Sequence, residues 1–241
     1  MEIQQLSIVS LRDHYMIGSA ASGADFAQNM FGMYIRFEQG IAKVSRGLSN
    51  MAVSAKAAEW KYKPLRATSL RHAPVVDHVS ASDLLTMLSE GQAGSDQMIH
   101  IERDYKDVMV HVWQQWSPES TWEEYCESNL GWKMIQRFIE DSRDIPFGAK
   151  FSYEQMVSSP QQFMMDLVDH LLPRENNPND SMFGAPFRKI DMNAIDKVVQ
   201  ESFVRDMRPD SGSNCLERVG IWKDFITVEQ AQEVDEFVAS I

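Results

Sequence analysis

The sequence predicts an α/β fold, a three-layer sandwich with a central, mainly parallel sheet. Three observations lead there. Short apolar segments alternate with stretches of helical periodicity along the chain. The first apolar segment runs through small residues into a helix, the order in which nucleotide-binding sheets begin. The length of 241 residues, with 44% of them hydrophobic, suits one such unit, and a single domain over residues 1–241 is the expectation.

The elements follow in order. His14–Gly18 (HYMIG) is short, apolar and closed by glycine, a buried strand. Ser19–Gly23 holds only small residues. Ala24–Phe37 sets Phe26, Met30, Met33 and Phe37 at helical spacing, with Phe31 and Ile35 widening the apolar face. Residues 40–66, rich in Ala and Lys, read as a second helical stretch ending near Pro64. Ser80–Ser89 reads as a helix opened by a Ser or Asp cap, and Met98–Glu102 as a strand. Asp107–Trp116 continues as a helix. Ser120–Asp141 reads as one long helix whose core face is Trp122, Tyr125, Leu130, Met134, Ile135 and Phe138. A brief strand is expected at Ala149–Ser152. An amphipathic helix follows at Pro160–Leu172, where Phe163, Leu167 and Leu171 recur every fourth residue. Residues 173–190 carry Pro173, Pro178, Pro186 and several asparagines, the composition of a loop excursion long enough to be a substrate-side lid. Met192–Arg205 is helical and Pro209–Asn214 turn-rich. Thr227 caps a closing helix at Val228–Ser240.

Charge and cysteine content exclude several functions. Lys+Arg minus Asp+Glu is 23 − 35 = −12, which argues against a protein that coats nucleic acid. Cys126 and Cys215 form neither a disulfide framework nor a CxxC metal spacing, and no metal is expected. The first residues, MEIQQLSIVSLRDHYMIG, lack a basic segment ahead of a long apolar run, so no signal peptide is expected. Eighteen consecutive apolar residues occur nowhere. The expectation is a cytoplasmic protein without membrane or nucleic-acid partners; assembly with copies of itself is left open.

Four blocks carry chemistry. The first is Gly18-Ser19-Ala20-Ala21-Ser22-Gly23, then Ala24, between strand and helix. Backbone N–H groups of such a loop, with a helix N-terminus behind them, form a pocket for phosphate-like anions. The second is Arg71-His72-Ala73-Pro74. An imidazole, with a pKa of about 6.5, accepts a proton at neutral pH. The third runs from strand Ile99–Glu102 through Arg103-Asp104-Tyr105-Lys106-Asp107 to His111. A guanidinium at a strand's end stays charged and matches phosphate bidentately. The fourth pairs Phe151-Ser152-Tyr153-Glu154 with Arg218-Val219-Gly220-Ile221-Trp222-Lys223. Each also has a structural reading: a strand–helix turn, a loop histidine, a capped helix start, and a tryptophan anchoring the last helix.

In order and spacing the four blocks resemble the P-loop sulfotransferases, which use 3′-phosphoadenylyl sulfate (PAPS) and release 3′-phosphoadenosine 5′-phosphate (PAP). The resemblance runs from about residue 14 to 237. It implies that Ser19, Ala20, Ala21, Ser22, Gly23 and Ala24 hold the phosphosulfate end. It assigns the 3′-phosphate to Arg103 and His111, with Arg218, Val219 and Gly220 folding over it, and the adenine to Tyr153. His72 becomes the general base that takes the acceptor hydroxyl's proton, with His78 its rival, and the acceptor a small hydroxylated molecule. Three departures stand out. Ala21 replaces the family's Lys or Arg, Ala24 and Asp25 replace two Thr, and His111 replaces a Ser. Arg71, Lys106 and Lys223 are the cations that could stand in for the lost charge. Three readings stay open: an active sulfotransferase, a sulfotransferase-like protein that binds without catalysis, and a P-loop kinase or unrelated α/β protein. The kinase pattern requires Lys after the second glycine, where this chain has Ala24. Because His14–Gly18 and Met98–Glu102 are short apolar segments that each end at a candidate phosphate-contact residue, they are expected to be neighbouring strands with those residues at one end of the sheet.

Overall fold

The computed structural model describes residues 14–38, 66–69, 77–79, 81–171, 190–206 and 218–241. Their centre is a five-stranded sheet: β1 (Tyr15–Gly18), β2 (Arg66–Ser69), β3 (Asp77–Val79), β4 (Met98–Glu102) and β5 (Ala149–Ser152), in the order β3-β2-β1-β4-β5. β1, β4 and β5 are parallel, and Tyr15, Met16 and Ile17 register on Met98, Ile99 and His100. β1 and β4 are thus neighbours with their C-terminal ends together. β2 and β3 extend the parallel trio as an antiparallel pair.

Helices cover both faces, which is why β1 is apolar along its length rather than alternating. On one face Met16, Ile99, Ile101 and Phe151 pack against α1 (Ala24–Glu38). The helices α6 (Tyr153–Ser158), α7 (Pro160–Leu171) and α8 (Met192–Asp206) complete that layer. On the other face Tyr15, Ile17 and Met98 meet Leu84 of α2 (Ala81–Ser89) and Phe138. His100 also points to that face, its ring stacked on Phe147 at 4.6 Å. Burial pulls its imidazole below the usual pKa and Glu102 pulls it back up. A third cluster joins α3 (Tyr105–Trp116), α4 (Trp122–Glu127), α5 (Trp132–Ser142), a tight turn at Ile221–Asp224 and α9 (Val228–Ser240).

The structure differs from the sequence expectation at identifiable places. The long helix expected at Ser120–Asp141 is two helices. Ser128 ends α4, its hydroxyl donating to Tyr125 O at 2.6 Å. The chain then turns so tightly at Gly131 that a Cβ there would lie 2.5 Å from Tyr125 O and collide with Cys126 O. α3 begins two residues early because Asp104 caps it, accepting from Lys106 N at 2.9 Å. The short helix α6 was not expected as a separate element. Arg66, placed at the end of a helical stretch, opens β2 instead. The rest of that stretch, the excursion at 173–189 and the loop at 209–214 lie outside the described residues. Among the described residues no helix is long and apolar enough to cross a membrane, and no cluster of His, Cys, Asp and Glu is placed to hold a metal.

Candidate functional site

β1 ends at Gly18, where backbone and side chains crowd. A Cβ there would overlap the Ser22 hydroxyl and lie 3.1 Å from Ile101 O on β4. The chain turns back on itself, with Ser22 N donating to Ser19 O at 3.1 Å. Two residues then take left-handed φ: Ala21 at +59° and Gly23 at +89°. For alanine that conformation costs about 1–2 kcal/mol. Ala27 N donates to Gly23 O at 2.9 Å, and α1 begins. Ser19, Ala20, Ser22 and Ala24 are buried, while Ala21 and Gly23 keep part of their surface exposed. The loop therefore presents backbone at the positive end of α1, the geometry of an anion nest. Asp25 lies in the first turn of the same helix, a carboxylate that competes for that positive end.

Arg103, the residue after β4, reaches across to this loop. It is 6% exposed, and its Nη1 donates to Ala21 O at 2.7 Å. The same nitrogen lies 3.5 Å from His111 Nδ1, and the guanidinium carbon sits 4.1 Å from the centre of the Tyr153 ring. His111 Nε2 faces Gln115 Oε1 at 3.2 Å. Those contacts fit a neutral imidazole whose Nε2–H donates to Gln115 and whose Nδ1 accepts from Arg103. Three side chains that the sequence joined only by resemblance thus meet at one end of the sheet, together with the loop.

Tyr153 lies against both Arg103 and the loop. Arg103 covers a face of its ring, and Gly23 is packed so close that a Cβ would lie 2.6 Å from Tyr153 Cδ2. The covered face supports the guanidinium.

The C-terminal block arrives through a residue to which the sequence reading gave no role. Asp107, wholly buried one turn into α3, accepts from Gly220 N at 2.7 Å through Oδ2 and from Trp222 N at 3.1 Å through Oδ1. Burial raises its pKa, and the two amides and the Arg103 charge oppose that rise. A lone aspartate in a helix's first turn looks like ordinary helix capping, so only the fold reveals this role. Gly220 takes φ +72° to make the turn. Arg218 and Val219 are exposed, and Arg218 Nη2 pairs with Asp224 Oδ2 at 2.6 Å.

The substitute cations fare differently. Lys106 pairs with Asp235 at 2.5 Å and Asp104 at 3.4 Å, while Lys223 is exposed. Arg71 and His72 lie outside the described residues. β2 enters beside Gly18 at Arg66 and leaves beside Tyr15 at Ser69, where Asp77 of β3 pairs with it. His78, the rival base, pairs with Thr68 inside that antiparallel pair.

The packing of Gly23 yields a prediction. Gly23→Ala adds a left-handed φ penalty to a collision with Tyr153 and Met156. It should lower stability by about 1–3 kcal/mol in urea unfolding. Unchanged stability would mean the loop does not sit against Tyr153 as described.

No family model matches this sequence, and no curated protein matches it. Among solved structures, mouse sulfotransferase SULT7A1 complexed with PAP is similar over 70% of this chain, at 16% identity and a TM-score of 0.44. This chain spans 65% of that chain's length. Likeness at that level fixes neither family nor activity.

Proposed function

We propose that this chain binds PAPS and PAP at the C-terminal ends of β1 and β4, and transfers the sulfuryl group to the hydroxyl of a small acceptor. One observation supports the reading above the others. Arg103 is a buried, permanently charged group that joins the loop after β1 to His111 and Tyr153. A guanidinium at the end of a parallel strand is suited to an anion, because it stays charged and matches phosphate bidentately.

PAPS, when bound, supplies an activated sulfuryl group. The residues' roles follow from their chemistry. The loop Ser19–Ala24 and the N-terminus of α1 would receive the phosphosulfate. Arg103 takes the 3′-phosphate, and Arg218 joins it by exchanging Asp224 for the ligand. A base, for which His72 is the candidate, removes the acceptor's proton as its oxygen bonds to sulfur and the bridging S–O bond breaks. Charge then builds on the bridging oxygen, and Ala21 offers only backbone there.

A second reading, binding without transfer, is favoured by that last point. Ala21 carries no charge, and Lys106 is held by two carboxylates. Two assays separate the readings. Calorimetric titration with PAP should show binding, and Arg103→Ala should weaken it by roughly 30-fold or more, the equivalent of about 2 kcal/mol. A parent chain that ignores PAP contradicts the proposal. Labelled-sulfate transfer to a panel of phenols and alcohols should succeed in the parent, and His72→Ala should lower it about 10²–10⁴-fold while keeping PAP binding. Binding with no transfer to any acceptor selects the second reading.

A further inference from the structure

We propose that Asp107 is a positioning residue: its buried carboxylate sets the place of the Arg218–Asp224 turn, and with it the affinity for the nucleotide. This rests on the reading of the site as a nucleotide site, and it assigns a role that neither the motifs nor the reaction requires.

The geometry is specific. Asp107 is 0% exposed, yet both its oxygens accept from amides more than a hundred residues further along the chain. Those amides, on Gly220 and Trp222, are two residues apart, and the left-handed Gly220 precedes a tight turn that aims both at one carboxylate. Arg218 and Val219 lead directly into Gly220, so their position follows from where Gly220 is held. Arg103 stands four residues before Asp107, just ahead of the cap of the same helix, and its charge is felt by the carboxyl. The turn has other attachments. Ile221 is buried in the third core cluster, and Trp222 lies between Lys106 and Lys223, 5.8 and 5.7 Å from its ring. Without Asp107 the turn therefore stays docked through Ile221 but loses its register, which separates positioning from folding.

A buried carboxylate beside an anion site would ordinarily repel the ligand. Here two amide donors face that charge, so the phosphate meets Arg103 rather than an unshielded Asp107.

The test uses the full chain and its isostere Asp107→Asn, in which an amide nitrogen replaces one acceptor oxygen and faces an N–H. Hydrogen exchange should speed up about tenfold or more across residues 219–223 and stay unchanged in β1 and β4, as expected for local opening. Calorimetry should show PAP binding weakened by about 5–20-fold, the loss of one charge-assisted hydrogen bond. Asp107→Ala should enlarge both effects; if it does not fold, the asparagine variant decides. Exchange that is unchanged, or faster throughout the chain, overturns the proposal. So does PAP affinity equal to the parent's, which would make the clamp purely structural. A parent that does not bind PAP overturns the nucleotide reading and this proposal with it, whereas a parent that binds and an asparagine variant that binds as well overturn this proposal alone.

Discussion

The hydrogen bond from Arg103 to the Ala21 carbonyl is the constraint on which the site depends. It joins the ends of two parallel strands through the loops that follow them. On the β1 side it holds Ala21 in a left-handed conformation that alanine adopts at a cost. On the β4 side it holds a charged group out of water, which the fold tolerates because carbonyl, imidazole and aromatic ring surround it. Remove the guanidinium and the loop loses its tether, Tyr153 its cover and His111 its neighbour.

The first turn of α3 gathers the rest. Asp104 caps the helix and draws in Lys106, Lys106 reaches Asp235 on α9, and Asp107 takes the Gly220 and Trp222 amides. Residues 218–241 are thereby fastened to the same strand end that carries Arg103. A local block of sequence thus organises distant segments, with Lys106, Asp104 and Asp107 each tied to partners within the chain.

What the sequence made legible has a physical pattern. β1, its loop, α1 and β4 stand out because strands buried on both faces read as continuous apolar runs. Arg103 stands out because a cation at the end of such a run faces the ligand edge of a parallel sheet. β2 and β3, with sequences RATS and DHV, are too short and polar to carry a periodic signal. The break between α4 and α5 was hidden because apolar residues on either side continue one helical face, while Ser128 and Gly131 do the breaking. Asp107 and Tyr153 are the deeper cases. Their partners lie 113 and 50 residues away, at Gly220 and Arg103, and no local pattern encodes such a contact. The direction of β2 was equally invisible.

Arg103 is proposed to read a 3′-phosphate. The most direct measurement compares the affinities of the parent chain for PAP and for adenosine 5′-phosphate, which differ only in that group. A desolvated guanidinium–phosphate pair predicts that PAP binds roughly 30-fold tighter or more, and that the preference disappears in Arg103→Ala. Equal affinity of the parent for the two nucleotides, or a preference that survives the loss of Arg103, would contradict the account.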